Sequence, residues 1–133
     1  VPLSTQVLAV LEQVEAISGG GRYVFPSARG PSRCMSENAV RVALRSMGYS
    51  NEDHTPHGFR AMARTLLDES LRERIEIVEM QLAHTVRDTH GKAYNRTSFI
   101  EDRTAMMQRW ADFLDALRDS AGESNVVPMR GRK

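Results

Sequence analysis

The sequence predicts a mainly α-helical domain, and three observations carry that expectation. Apolar residues recur at three- and four-residue intervals in five separate stretches, the period of one helix face. Residues suited to capping or ending a helix stand at the edges of those stretches. Only Tyr23-Val24-Phe25-Pro26 has strand-like composition, so at most a short β segment is expected near 22–26. The chain has 133 residues, 41% hydrophobic and 26% charged, the balance of an ordinary packed domain. At that length about two-thirds of the extended-chain surface can be buried, enough for a core.

The elements follow in order. Ser4 caps a first helix with Val7, Val10, Leu11 and Val14 on one face, and Gly19-Gly20-Gly21 ends it. Ser27 to Arg33 holds Gly, Pro, Ser and two Arg and reads as a mobile loop. Ser36 opens a second helix with Val40, Ala43, Leu44 and Met47 on one face, closed by Gly48. Thr55 caps a third, with Pro56 at its first position, where the missing N–H is not needed. A fourth carries Leu71, Ile75, Val78 and Leu82. The longest periodic segment follows, with Phe99, Arg103, Met106, Met107, Trp110, Phe113, Leu114 and Leu117 at helical intervals. That helix has more apolar surface than a terminal surface helix needs, so it either completes its own core or packs on another molecule. One contiguous core is expected from Val7, Leu11, Val40, Leu44, Phe59, Leu66, Ile75 and Leu82. The segment from Ser120 is small and polar and ends in Arg130-Gly131-Arg132-Lys133. The domain is therefore placed at 1–119 and a disordered basic tail at 120–133.

Several classes are disfavoured at once. A single cysteine, Cys34, excludes a disulfide framework and favours a cytoplasmic setting. No apolar run approaches the length of a membrane span, so no membrane partner is expected. The chain opens with Val1-Pro2-Leu3 and no initiator Met, which reads as a cut inside a longer protein. Net charge is only +1, but it is segregated. Arg22 to Arg64 holds seven Arg against three acids, Thr65 to Ala83 two Arg against five, and His84 to Ser98 turns positive again. Positive stretches can meet phosphate while the acidic one faces solvent; random surface patterning is the alternative.

Thr55-Pro56-His57-Gly58-Phe59-Arg60 is the most informative segment. At about 100° per residue, His57, Arg60 and Arg64 share one side of the helix, opposite Phe59, Met62, Ala63 and Leu66. The apolar side anchors the helix. An imidazole and a guanidinium then stand at a helix start, where free N–H groups and the dipole favour an anion. Taken alone, this segment reads more readily as a capped amphipathic helix with a surface His and Arg, since helices with polar faces are common. Gln81-Leu82-Ala83-His84 then ends an apolar helix with a second His, and Lys92-Ala93-Tyr94-Asn95-Arg96 begins eight residues later.

His-x-x-Arg, then Leu-x-His, then Tyr about ten residues on, resembles the second half of the tyrosine recombinase signature. The closest resemblance is to integrases of prophages and genomic islands, through Val1 to Ser4, Gly20 to Pro26, Met35 to Asn38, His57 to Ala63 and Gln81 to His84 in this order. The resemblance implies the C-terminal portion of the recombinase catalytic domain, a DNA breaking–rejoining fold. It implies that Tyr94 is the nucleophile and forms a 3′-phosphotyrosyl DNA intermediate. Arg60 would pair with a phosphate oxygen, His57 would accept the tyrosine proton or bond the phosphate, and His84 would donate to the same phosphate. Arg64, Arg87, Lys92 and Arg96 are candidate DNA-binding residues. The implied partners are double-stranded DNA and a homo-tetramer assembled on it, with no cofactor and no metal.

The family's earlier catalytic Arg and its β-hairpin Lys have no counterpart, since the only lysines are Lys92 and Lys133. The chain alone is therefore expected to be inactive. The alternatives are a DNA-binding helical module without chemistry, in which Tyr94 is dispensable, and a decayed integrase remnant. A metal-dependent nuclease using His54, His57, His84 and His90 is a further one, though no recognised zinc spacing supports it. His54 reads as a loop residue, and Tyr23 and Tyr49 as packing residues.

Overall fold

A computed structural model describes residues 1–84 and 99–124. Helix α1 spans Thr5–Ser18, strands β1 Pro26–Ser27 and β2 Gly30–Cys34 form a hairpin, and helices α2 Ala39–Ser46, α3 Pro56–Glu69, α4 Ile75–Gln81 and α5 Ile100–Ser124 follow. The fold is mainly helical, as the sequence predicts. The β structure lies further along than expected. β1 and β2 pair antiparallel, Pro26 opposite Cys34 and Ser27 opposite Gly30, so the stretch read as a mobile loop is the hairpin itself. Gly30 permits its turn by adopting a φ of 141°.

The predicted caps are in place on α1 and α3. Ser4 Oγ accepts from Val7 N at 3.4 Å, and Thr55 Oγ1 accepts from Gly58 N at 3.2 Å. Helix α2 starts at Ala39 rather than Ser36, because Ser36 Oγ is engaged in a local turn with Asn38 N at 3.3 Å. Its end is as predicted: Gly48 takes a φ of 94°, its N–H bonds Arg45 O at 3.0 Å, and Tyr49 N–H bonds Leu44 O at 3.1 Å.

The core overlaps the expected one only in part: Leu44 is buried and Leu82 packs against the central cluster, but that cluster is built from other residues. Leu67 of α3, Ile77 and Val78 of α4 and Met106 of α5 form it, with Leu71, Leu82, Met107 and Trp110 packed around. Val7, Val40, Phe59 and Ile75, assigned to the core from periodicity, are each at least 37% exposed. For α4 the reason is a break in the backbone. Arg72 takes a φ of 55°, so Leu71 and Ile75 do not lie on one continuous helix; Val78 turns inward as its spacing predicts, but Ile77 rather than Ile75 joins it. Phe59 faces the loop before its own helix, its ring 4.2 Å from that of His54. His54 is thus a packing residue, and a Cβ on Gly58 would come within 2.9 Å of its ring.

Helix α5 completes the molecule's own core: Met106 is fully buried and Ala111 nearly so, while Leu114 and Leu117 stay partly exposed. It continues to Ser124, past the expected boundary at Ser120, and residues 125–133 lie outside the described residues. The start of α1 is tied to α5 by polar bonds, Thr5 N to Gln108 Oε1 at 2.9 Å and Gln6 Nε2 to Asp112 Oδ1 at 2.8 Å. Leu8, Val10 and Ile17 of α1 and Val42 of α2 remain exposed. No described helix is long and apolar enough to cross a membrane.

Candidate active site at the α3–α4 junction

Helix α3 enters through Thr55 and Pro56, which places His57 in its first turn and Arg60 one turn later. His57 is exposed, and its imidazole makes no hydrogen bond or ion pair among the described residues. Arg60 is half-buried. Its guanidinium Nη2 donates to the carbonyl oxygen of Leu82, an acceptor left open by the end of α4. A cation there also complements the negative end of the helix dipole.

The end of α4 fixes His84. Ala83 adopts a left-handed φ of 53°. Its N–H bonds Met80 O at 3.0 Å, and the N–H of His84 bonds Glu79 O at 2.9 Å. This is the hydrogen-bond pattern that closes α2, with alanine where α2 has glycine. The imidazole then turns back on the same residue, and His84 Nδ1 bonds the Glu79 carboxylate through Oε2. The other oxygen of Glu79 accepts from Arg64 Nε at 2.7 Å. These partners, His84 first, hold the Glu79 carboxyl below the ordinary glutamate range, so it is an anion at neutral pH.

Arg60 and His84, twenty-four residues apart in sequence, are therefore gathered at one helix end, with His57 a turn away on α3. Arg64, expected at DNA, has its Nε engaged by Glu79, although its side chain remains 47% exposed. Sequence reasoning missed Glu79 altogether. Its only sequence signal is its place five residues before His84, which the helix end converts into contact. Gln81 was also passed over; its Oε1 accepts from Arg103 Nε of α5 at 2.8 Å, linking this junction to the last helix. Tyr94, Arg87, Lys92 and Arg96 lie outside the described residues. Among the described residues no cluster of three His, Cys, Asp or Glu side chains could hold a metal ion.

The chain is 43% identical over 121 residues to the integrase of Enterobacteria phage P4, covering 90% of this chain and 28% of that protein. The chain is a relative of phage and prophage integrases. It is 38% identical over 116 residues to the prophage integrase IntA of Escherichia coli strain K12, covering 87% of this chain and 28% of the relative. It is 32% identical over 116 residues to the integrase of Shigella phage Sf6, covering 86% and 30%. This integrase relative thus spans about 30% of the length of the curated proteins it matches. No family model matches it, and no solved structure matches it with significance.

Proposed function

We propose that this chain is the C-terminal part of the catalytic domain of a tyrosine-type site-specific DNA recombinase. The observation that carries the reading is the gathering of Arg60 and His84 at the end of α4, beside His57 on α3. Sequence similarity to integrases along nine-tenths of the chain supports it. A DNA phosphodiester resists attack because its charge repels nucleophiles, so metal-free cleavage needs cations at the non-bridging oxygens and a proton donor for the leaving group. Arg60 offers a planar guanidinium for a phosphate oxygen, and only one of its nitrogens is needed to hold Leu82 O. His57, one turn earlier on α3, and His84, two residues after Leu82, supply imidazoles to the same region.

In this reading Tyr94 Oη attacks phosphorus and the bond from phosphorus to the 5′-oxygen breaks. The phosphate stays as a 3′-phosphotyrosyl ester, and the departing 5′-hydroxyl takes up a proton. Attack by that hydroxyl reverses the step and rejoins the strand, so the ester conserves the bond and no ATP is consumed. A phenol of ordinary pKa about 10 needs a base or a cationic neighbour for this attack, a role for which His57 is available. Arg87, Lys92 and Arg96 are the proposed phosphate contacts around the nucleophile, with Arg64 contributing through its guanidinium tip.

A second Arg, a general-acid Lys and the domains that clamp the duplex would be supplied by the remaining length that the relatives possess. The apolar residues left open on α1 and α2 favour such a larger domain. The proposed assembly is a homo-tetramer on double-stranded DNA, with no cofactor. The test uses a protein carrying this segment at the length of its relatives. A nicked suicide substrate should trap a protein–DNA adduct, and Tyr94→Phe should abolish it. An adduct formed undiminished by the Phe variant would refute the assignment.

A further inference from the structure

We infer that Glu79 is a positioning residue: its carboxylate, bridging Arg64 and His84, fixes which nitrogen of the His84 ring faces the reacting phosphate. The inference rests on the function proposed above for what His84 does, but its structural half stands alone. Glu79 accepts from Arg64 Nε at 2.7 Å through Oε1 and bonds His84 Nδ1 through Oε2. An ionised carboxylate can only accept hydrogen bonds, so Nδ1 must carry the hydrogen of that bond. Nε2 is then the ring atom left for the substrate.

Three constraints hold the arrangement. The backbone N–H of His84 is bonded to Glu79 O at 2.9 Å, so the main chain and the ring of His84 are both referred to one residue. Arg64, from α3, pins the opposite oxygen of the carboxylate, so the ring is oriented relative to the helix that carries Arg60 as well as to its own. Ala83 turns the chain between them through a left-handed conformation. A neutral ring in this tautomer presents a lone pair at Nε2 and can accept a proton there. Once protonated it presents Nε2–H to a phosphate oxygen, with the Glu79 anion balancing the charge. Without the carboxylate the ring is free to rotate or to move its hydrogen to Nε2.

Ring-nitrogen NMR on the 133-residue chain, labelled with nitrogen-15, reads the tautomer directly. The wild type should show His84 protonated at Nδ1 when neutral. Glu79→Gln, which keeps an acceptor oxygen, should retain that signature, and Glu79→Met, of similar size without an acceptor, should shift the ring toward the Nε2–H form. A wild-type His84 protonated at Nε2, or a folded Glu79→Met with an unchanged signature, overturns the inference. The wild-type measurement decides alone if Glu79→Met does not fold.

The functional half is read in the longer protein. Single-turnover adduct formation should fall about 10- to 100-fold in Glu79→Met, the loss typical of a slightly misplaced group, with duplex affinity nearly unchanged. Unchanged adduct formation there overturns the positioning role even if the tautomer shifts. Failure of the Tyr94→Phe test would instead remove the recombinase reading and leave the tautomer result intact.

Discussion

Met106 is the side chain on which the junction depends. It is fully buried on α5 and packs in the core with Leu67 of α3 and with Ile77 and Val78 of α4, so one residue closes three helices together. Met106→Ala removes three heavy atoms from the centre of that cluster. Truncations of this kind cost about 2–5 kcal/mol, the transfer of the lost atoms plus the cavity they leave. The neighbours Met107 and Trp110 are only partly buried and can relax into the space, which places the expected loss near the lower part of the range, about 3 kcal/mol. For a chain of this size that corresponds to a fall in Tm of roughly 10–15 °C. Thermal unfolding followed by far-ultraviolet circular dichroism measures it. Leu117→Ala on the same helix is the control: Leu117 is 47% exposed, and its loss should stay within about 0.5 kcal/mol. A Met106→Ala loss below about 1 kcal/mol, or equal losses in the two variants, would refute the claim that α5 seals the α3–α4 junction from its Met106 side.

Two further outcomes follow from the ends of the helices. Ala83→Gly should stabilise the chain by about 0.5–1 kcal/mol, because relief of the left-handed strain exceeds the added entropy of the unfolded chain; a lower Tm would show that Ala83 is not strained. Arg60→Ala, in the longer protein, should slow strand cleavage about 10²- to 10³-fold while duplex affinity changes only several-fold, since affinity is spread over many phosphates. Equal losses in rate and affinity would make Arg60 a binding residue rather than a catalytic one.

Local structure was legible in the sequence because it is encoded locally. Ser4, Thr55 with Pro56, and Gly48 each act within one turn of backbone, and each stands where the residue type predicts. The spacing of His57 and Arg60 was legible for the same reason, as a consequence of helix pitch. The hairpin at Pro26–Cys34 was not, since its residues have turn chemistry and little strand propensity, and only pairing makes them strands.

What sequence could not supply was which apolar face turns inward and which polar groups meet. A left-handed Arg72 interrupts the helix before α4, so of the periodic set Leu71, Ile75, Val78 and Leu82 the folded chain buries Val78 and packs Leu71 and Leu82 around it, but takes Ile77 inward where the periodicity selects Ile75. The bond from Arg60 to Leu82 spans twenty-two residues, and that from Arg64 to Glu79 fifteen. Both exist only because α3 and α4 pack side by side, which makes an open carbonyl and a carboxylate available to guanidinium groups on the neighbouring helix. The sequence by itself determined where most helices begin and end and which side chains they carry. The tertiary structure decided that Glu79 stands between Arg64 and His84, because apolar packing of Leu67, Val78 and Met106 sets the distance at which those charges can pair.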